Sequence, residues 1–122
     1  MPSLRITHGT WDELQQAAKM IREQVFIQEQ NIAAEDEWDE QDEIAVHFVV
    51  YEQDQAIATA RLLQNHSIGR VAVLKSHRGL GVGKVLMQAV IAYAQQQQRL
   101  FLVLSSQVHA QAFYQALGFM QE

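Results

Sequence analysis

The sequence predicts an α+β fold: a mixed, twisted sheet whose first part is an antiparallel meander and whose second part is a strand–helix–strand unit. Three observations lead there. Apolar, β-branched runs between Ile44 and Leu74 are joined by short polar turns, as in a meander. The run Val71 to Leu74 passes through a glycine-rich turn into a helical pattern, and a nearly all-apolar run, Leu100 to Leu104, follows it. With 122 residues, 48% of them hydrophobic, the chain suits one compact domain over residues 1–122 rather than two.

Leu4 to Thr7 alternates briefly and reads as a first strand. Thr10-Trp11-Asp12-Glu13 is a capping box, because the Thr10 hydroxyl can accept from the third helical N–H while Glu13 reaches back. The helix that follows carries Leu14, Ala17, Ala18, Ile21 and Val25 on one face and is expected to end near Phe26 or Gln28. Between Glu35 and Glu43 seven of nine residues are acidic, broken by Trp38 and Gln41. Such a segment is a solvated loop or a field that attracts a cation. Trp38 within it is either a lid anchor or a cover for the core edge.

Strands are expected at Ile44 to Tyr51, Ala56 to Gln64 and up to Leu74, with turns at residues 52–55 and 65–67. A helix from about Gly81 to Gln97 carries Val85, Leu86, Ala89, Val90, Ala92 and Tyr93, and the glutamines at residues 95–98 read as its soluble end. Right-handed crossover would place the strand Leu100 to Leu104 parallel to the one ending at Leu74. A last helix, Val108 to Leu117, stops at Gly118.

The turn between Lys75 and Lys84 is the chemically informative stretch. Glycines let successive backbone N–H groups converge on one point, and a helix start adds its positive dipole end, which together make an anion site. Gly79, Gly81 and Gly83 alternate, so the G-x-G-x-x-G dinucleotide spacing fails. Gly83-Lys84 is followed by Val85, so the G-x-x-x-x-G-K-[ST] loop of nucleotide triphosphatases fails as well.

Composition narrows the function further. A formal charge of -5 opposes general nucleic-acid binding, which needs a broad basic face. No run of about 18 apolar residues is present for a membrane span. The start, Met1-Pro2-Ser3-Leu4-Arg5, lacks the apolar stretch of a signal peptide, so a cytoplasmic protein is expected. Without cysteine there is no disulfide, thiolate metal site or cysteine nucleophile. His8, His66, His77 and His109 are assigned to turns or loops, no two histidines have metal-ligand spacing, and no metal is expected.

Three motifs in order carry a family resemblance. Arg78-Gly79-Leu80-Gly81-Val82-Gly83 resembles the Q/R-x-x-G-x-G/A pyrophosphate loop of the GNAT family of acyl-CoA-dependent N-acetyltransferases. Arg22-Glu23-Gln24-Val25-Phe26-Ile27-Gln28-Glu29-Gln30 resembles the R-x-x-V-F-x-x-E-Q signature of small bacterial members. Ala112-Phe113-Tyr114-Gln115-Ala116-Leu117-Gly118-Phe119 resembles the family's closing A-x-x-F-Y-x-x-x-G-F.

The resemblance implies the GNAT fold and direct acetyl transfer from acetyl-CoA to an amine, with no covalent enzyme intermediate. It assigns the pyrophosphate to N–H groups over Arg78, Gly79, Leu80, Gly81, Val82, Gly83 and Lys84, with Arg78 and Lys84 as point charges. Lys75 or His77 would meet the ribose phosphate. Val71, Ala72 and Val73 would pair with the pantetheine amides, and the Val73 N–H would face the thioester oxygen, a donor typically worth ~3 kcal/mol of barrier. Gln107 matches a pantetheine-bonding position, while Ser105 stands where many relatives have asparagine. Tyr114 matches the tyrosine that protonates the leaving thiolate or positions the sulfur. The amine's proton would go to His47, to Glu29 or to a water chain, a lone histidine on an apolar strand such as His47 being more often a satisfied structural residue. Arg22, Phe26, Glu29 and Trp38 are the candidates on the acceptor side.

Family members continue past the closing Gly-Phe into further strands, whereas this sequence stops at Glu122. The expectation is a fold lacking its last strand, through truncation (the favoured reading) or with pairing supplied by a partner chain, and with unpaired backbone beside a buried strand. Expected partners are a small-molecule or peptide amine and, as an open alternative, a second copy of the chain; nucleic acid and membrane are not expected. A non-catalytic acyl-CoA-binding module of the same shape is the competing function.

Overall fold

The computed structural model describes residues 3–99, 102–104 and 120–121. In order the elements are β1 (Leu4–Gly9), α1 (Trp11–Arg22) running into a π-helical segment (Glu23–Glu29), α2 (Ala34–Glu37) and a 3-10 turn (Glu40–Glu43). They continue with β2 (Val46–Glu52), β3 (Gln55–Leu62), β4 (Ser67–Val73), a second 3-10 turn (Lys75–His77), α3 (Val82–Gln96), β5 (Val103–Leu104) and β6 (Met120–Gln121). The strands lie side by side in sequence order; β1 to β4 are antiparallel, and β5 is parallel to β4.

The capping box forms as its spacing predicts. The Glu13 N–H donates to Thr10 Oγ1 at 3.3 Å, and the Thr10 N–H donates to Glu13 Oε1 at 2.9 Å. The two long helices cover opposite faces of the sheet. Consecutive strand residues point to opposite faces, and His47 meets Trp11 of α1 (ring centroids 4.8 Å apart) while Phe48 meets Tyr93 of α3 edge-on at 5.5 Å. Burial on both sides explains why the middle of β2, Phe48 to Val50, is apolar without alternation.

Several expectations are corrected. The first helix does not continue as one α-helix to Phe26 or Gln28; from Glu23 it widens into π geometry, with the Gln30 N–H reaching the Val25 carbonyl five residues back. The acidic segment is not a plain loop, since it holds α2 and a 3-10 turn. The second strand starts at Val46 rather than Ile44, whose side chain is exposed. His8 is a strand residue, its ring 4.8 Å from that of Tyr93, and not part of a turn.

The expected gap beside the penultimate strand is also filled differently. Met120–Gln121 pairs directly with Val103–Leu104 in parallel, so β6 supplies the neighbour β5 needs. Residues 108–117, predicted as the last helix, lie outside the described residues, as does Phe119.

One irregularity shapes the middle of the sheet. Thr59 pairs with Ala72 but Arg61 pairs with Gly69, so Arg70 and Val71 together face Ala60, a bulge in β4. Arg70 has φ 51°, in the left-handed region. A bulge re-aims its side chain, and here Arg70 Nη2 bonds the Glu37 carbonyl at 3.2 Å.

Candidate active site

The glycine-rich turn lies between the end of β4 and the start of α3. Gly79 and Gly81 have φ 79° and 84°, values an L side chain adopts only with strain, and a Cβ built on either would meet nothing within 4 Å. Left-handed glycines turn neighbouring N–H groups outward together. The N–H groups of Gly79, Leu80, Gly81, Val82, Gly83 and Lys84 donate to no other described residue; the first to be taken is that of Val85, which bonds the Gly81 carbonyl at 3.1 Å. Gly81 caps α3 without a side-chain bond, so the positive end of the helix dipole is open at the same place. Backbone donors without a described partner, open space at the two left-handed glycines and a helix start suit a diphosphate, and the residues present fit such a group.

Val73 adds a donor pointing away from the sheet interior. The Leu74 N–H bonds the Ile57 carbonyl at 2.9 Å. Along an antiparallel strand, successive residues send their N–H and C=O to alternate sides, so those of Val73 face away from β3. The Val73 carbonyl accepts from Arg78 Nε at 2.9 Å on that outer side. Among the described residues β5 pairs with β4 only at Ser67 and Ile68, and Val71, Ala72 and Val73 run on beyond that ladder.

Arg78 folds back over this edge. Its Nη1 and Nη2 grip both carboxylate oxygens of Glu29 at 2.6 and 2.8 Å. The bond to Arg78 holds the Glu29 carboxyl below the ordinary glutamate range and pushes the Arg78 guanidinium up. The π segment thus brings Glu29, from the first motif, onto Arg78, from the second. His77 turns the other way: its Nε2 lies 3.1 Å from Glu52 Oε1 and its Nδ1 2.8 Å from Ser76 Oγ.

Arg22, by contrast, is sealed in the molecule with 1% exposure. Its Nε donates to Glu37 Oε2 and its Nη1 to Asp42 Oδ1, both at 2.7 Å, and its Nη2 to the Glu37 carbonyl at 3.0 Å. Asp42 Oδ1 also accepts from Arg61 Nη1 at 2.9 Å, and Asp39 binds Arg61 through both oxygens. Glu37 and Asp39 lie within 3.2 and 3.4 Å of Arg70 nitrogens. Three arginines from α1, β3 and β4 therefore neutralise three of the seven acids. This is neither a solvated loop nor a uniform cation field; Glu35, Asp36, Glu40 and Glu43 alone face solvent free of that network. Trp38 is half-buried with the Arg22 guanidinium over its ring at 5.0 Å, and Phe26 belongs to the core. Sequence reasoning missed the Arg22–Arg61–Arg70 set; three arginines matched to one acidic run was the available signal.

His47 is bound into the same assembly. Its Nε2 lies 2.8 Å from the Asp42 carbonyl, which can only accept, so Nε2 carries the proton. The side chain is 1% exposed, and burial pushes its pKa below the ordinary histidine value against the opposing pull of Asp42. For Asp42 burial acts upward but is outweighed by the Arg22 and Arg61 contacts, leaving its carboxyl lowered; the Arg61 bond lowers Asp39. A histidine that charges less readily when folded costs stability as pH falls through the unfolded value of about 6.5. Urea midpoints are therefore expected to be flat above about pH 6.5 and to drop below it, with a further loss below about pH 4 as Asp39 and Asp42 protonate. His47→Asn should remove the first drop and leave the second. Tyr114, Gln107 and Ser105 lie outside the described residues.

Comparison with known proteins gives a consistent set of matches. The family profile described as Acetyltransferase (GNAT) family matches residues 11–119. The uncharacterized N-acetyltransferase YjcF of Bacillus subtilis is 36% identical over 102 residues, covering 81% of this chain and 73% of that protein. The crystal structure of an acyl-CoA N-acyltransferase from Pseudomonas aeruginosa superposes with a TM-score of 0.84 at 29% identity, covering 97% of this chain and 87% of the other. Escherichia coli ElaA superposes with a TM-score of 0.80 at 29% identity, covering 96% and 86%.

Proposed function

This chain belongs to the GNAT family of acetyltransferases, and from that premise we propose that it moves an acetyl group from acetyl-CoA directly to a primary amine of a small molecule or peptide. The observation that carries the proposal is the run of N–H groups from Gly79 to Lys84 that have no partner among the described residues, beside the outward-facing backbone of Val73. The family uses acyl-CoA donors, and this arrangement suits one: diphosphate on the loop, amide-bearing arm along β4.

Each residue's task follows from its chemistry. The loop N–H groups and the α3 dipole hold the diphosphate, with Lys84 as an exposed point charge. Backbone groups of Val71 and Val73 orient the arm, and the Val73 N–H donates to the thioester oxygen as negative charge develops there. Tyr114 supplies the proton to the departing thiolate, or fixes the sulfur, and Gln107 bonds the arm. Glu29, its carboxyl held below the ordinary glutamate range, is a weak base, and His47 is sealed at 1% exposure with its Nε2–H donated to the Asp42 carbonyl and its pKa lowered by burial. Water therefore removes the ammonium proton, while the Glu29 charge favours a cationic acceptor nearby. No metal is needed by any of these steps.

Calorimetric titration with acetyl-CoA, NAD and ATP tests the first half of this reading: binding is expected for acetyl-CoA alone. Thiol release during incubation with a panel of amines tests the second. Tight acetyl-CoA binding without thiol release for any amine would assign a non-catalytic acyl-CoA-binding module instead.

A further inference from the structure

The position of Arg78 is at odds with a simple phosphate-binding role. Its guanidinium is turned back across the β4 edge and occupied on three sides: Nε on the Val73 carbonyl, Nη1 and Nη2 on Glu29. The Val73 carbonyl is the outward acceptor that an amide-bearing arm would use, and Arg78 already fills it. Glu29, an anion, stands where the guanidinium would otherwise seek a phosphate. Both side chains are more than a third exposed, so the pair is built to open rather than to hold the core.

We propose that Arg78 is a displaceable plug, held over the Val73 carbonyl by Glu29 and withdrawn by a ligand that carries a diphosphate. The proposal rests on the acyl-CoA reading above and adds a selectivity device to it. A diphosphate competes with the Glu29 carboxylate for the guanidinium; as Arg78 swings to it, the Val73 carbonyl is freed for the arm of the same ligand. A donor without a diphosphate finds the carbonyl closed, and its apparent affinity is reduced by the fraction of protein in the plugged state. Glu29 and Arg78 would thereby discriminate coenzyme A from free pantetheine through a closed state, not only through contact with phosphate.

The probes are pantetheine and coenzyme A, titrated by calorimetry or by NMR into the wild-type chain, Glu29→Gln and Arg78→Ala. Both substitutions are at exposed positions, and the expected change in pantetheine binding is a gain, which a misfolded protein would not show. An exposed bidentate pair implies pantetheine affinity about fivefold higher in each variant. Coenzyme A affinity is expected to rise by a similar factor in Glu29→Gln but not in Arg78→Ala, which also loses the phosphate contact. Pantetheine binding that is unchanged or weaker in both variants would overturn the plug. A gain confined to Arg78→Ala would remove Glu29 from it and overturn the pair. Weaker coenzyme A binding by Glu29→Gln would mean that Glu29 aims Arg78 at the phosphate, the reverse of the proposal. Failure of the wild-type chain to bind coenzyme A at all is a separate outcome, and sinks the acyl-CoA reading itself.

Discussion

Arg22→Met is expected to lower the unfolding free energy by about 3–5 kcal/mol, read from urea denaturation at pH 7. The loss comes less from the bonds removed than from what they leave behind. Glu37 and Asp42 are each 2% exposed, and without Arg22 their charges keep only shared contacts with Arg70 and Arg61. Adding Glu37→Gln and Asp42→Asn to Arg22→Met should recover more than half of the loss, because the stranded charges are then gone. A surface substitution such as Glu35→Gln should change stability by less than about 0.5 kcal/mol. If Arg22→Met were equally mild, the ion network would not be what fastens the acidic segment to the domain.

Val73→Pro is expected to lower kcat for acetyl transfer by roughly 100-fold, about 3 kcal/mol of transition-state stabilisation. Proline removes the N–H of that residue and fixes its φ, and the extended conformation it requires of the preceding residue is the one Ala72 has in β4. The ladder survives, because Val73 faces away from β3 and the Leu74 N–H keeps its bond to Ile57. Val73→Ala retains the N–H and should keep kcat within a few-fold of wild type, so the pair separates a lost donor from lost packing. The measurement is steady-state thiol release, with a thermal melt on each variant. Equal kcat values for the proline and alanine variants would remove Val73 from the chemistry.

The elements were legible where local chemistry sets them. Thr10 and Glu13 carry their cap in four consecutive residues, and the three meander strands are separated by turns whose residue types are local signals. The glycine turn could be read because its need for left-handed backbone is written in residue type. Long-range pairings were not legible. Arg22 and Glu29 sit seven residues apart on one motif and look alike in sequence, as two polar positions near a helix end. One is drawn into a buried ion network and the other onto the glycine-rich turn, and the π geometry that directs them has no signature in composition.

By itself the sequence determined the class of fold, the glycine-rich turn and the family, because each depends on residue types at short fixed spacings. Tertiary structure alone decided which acids are free and which are neutralised, since Arg22, Arg61 and Arg70 reach the segment from three separate elements. It also decided that Arg78 lies over the Val73 carbonyl in the grip of Glu29, 49 residues away in the chain. Charges act through space, and a chain folded on both faces of one sheet brings together groups that no reading along the backbone can pair.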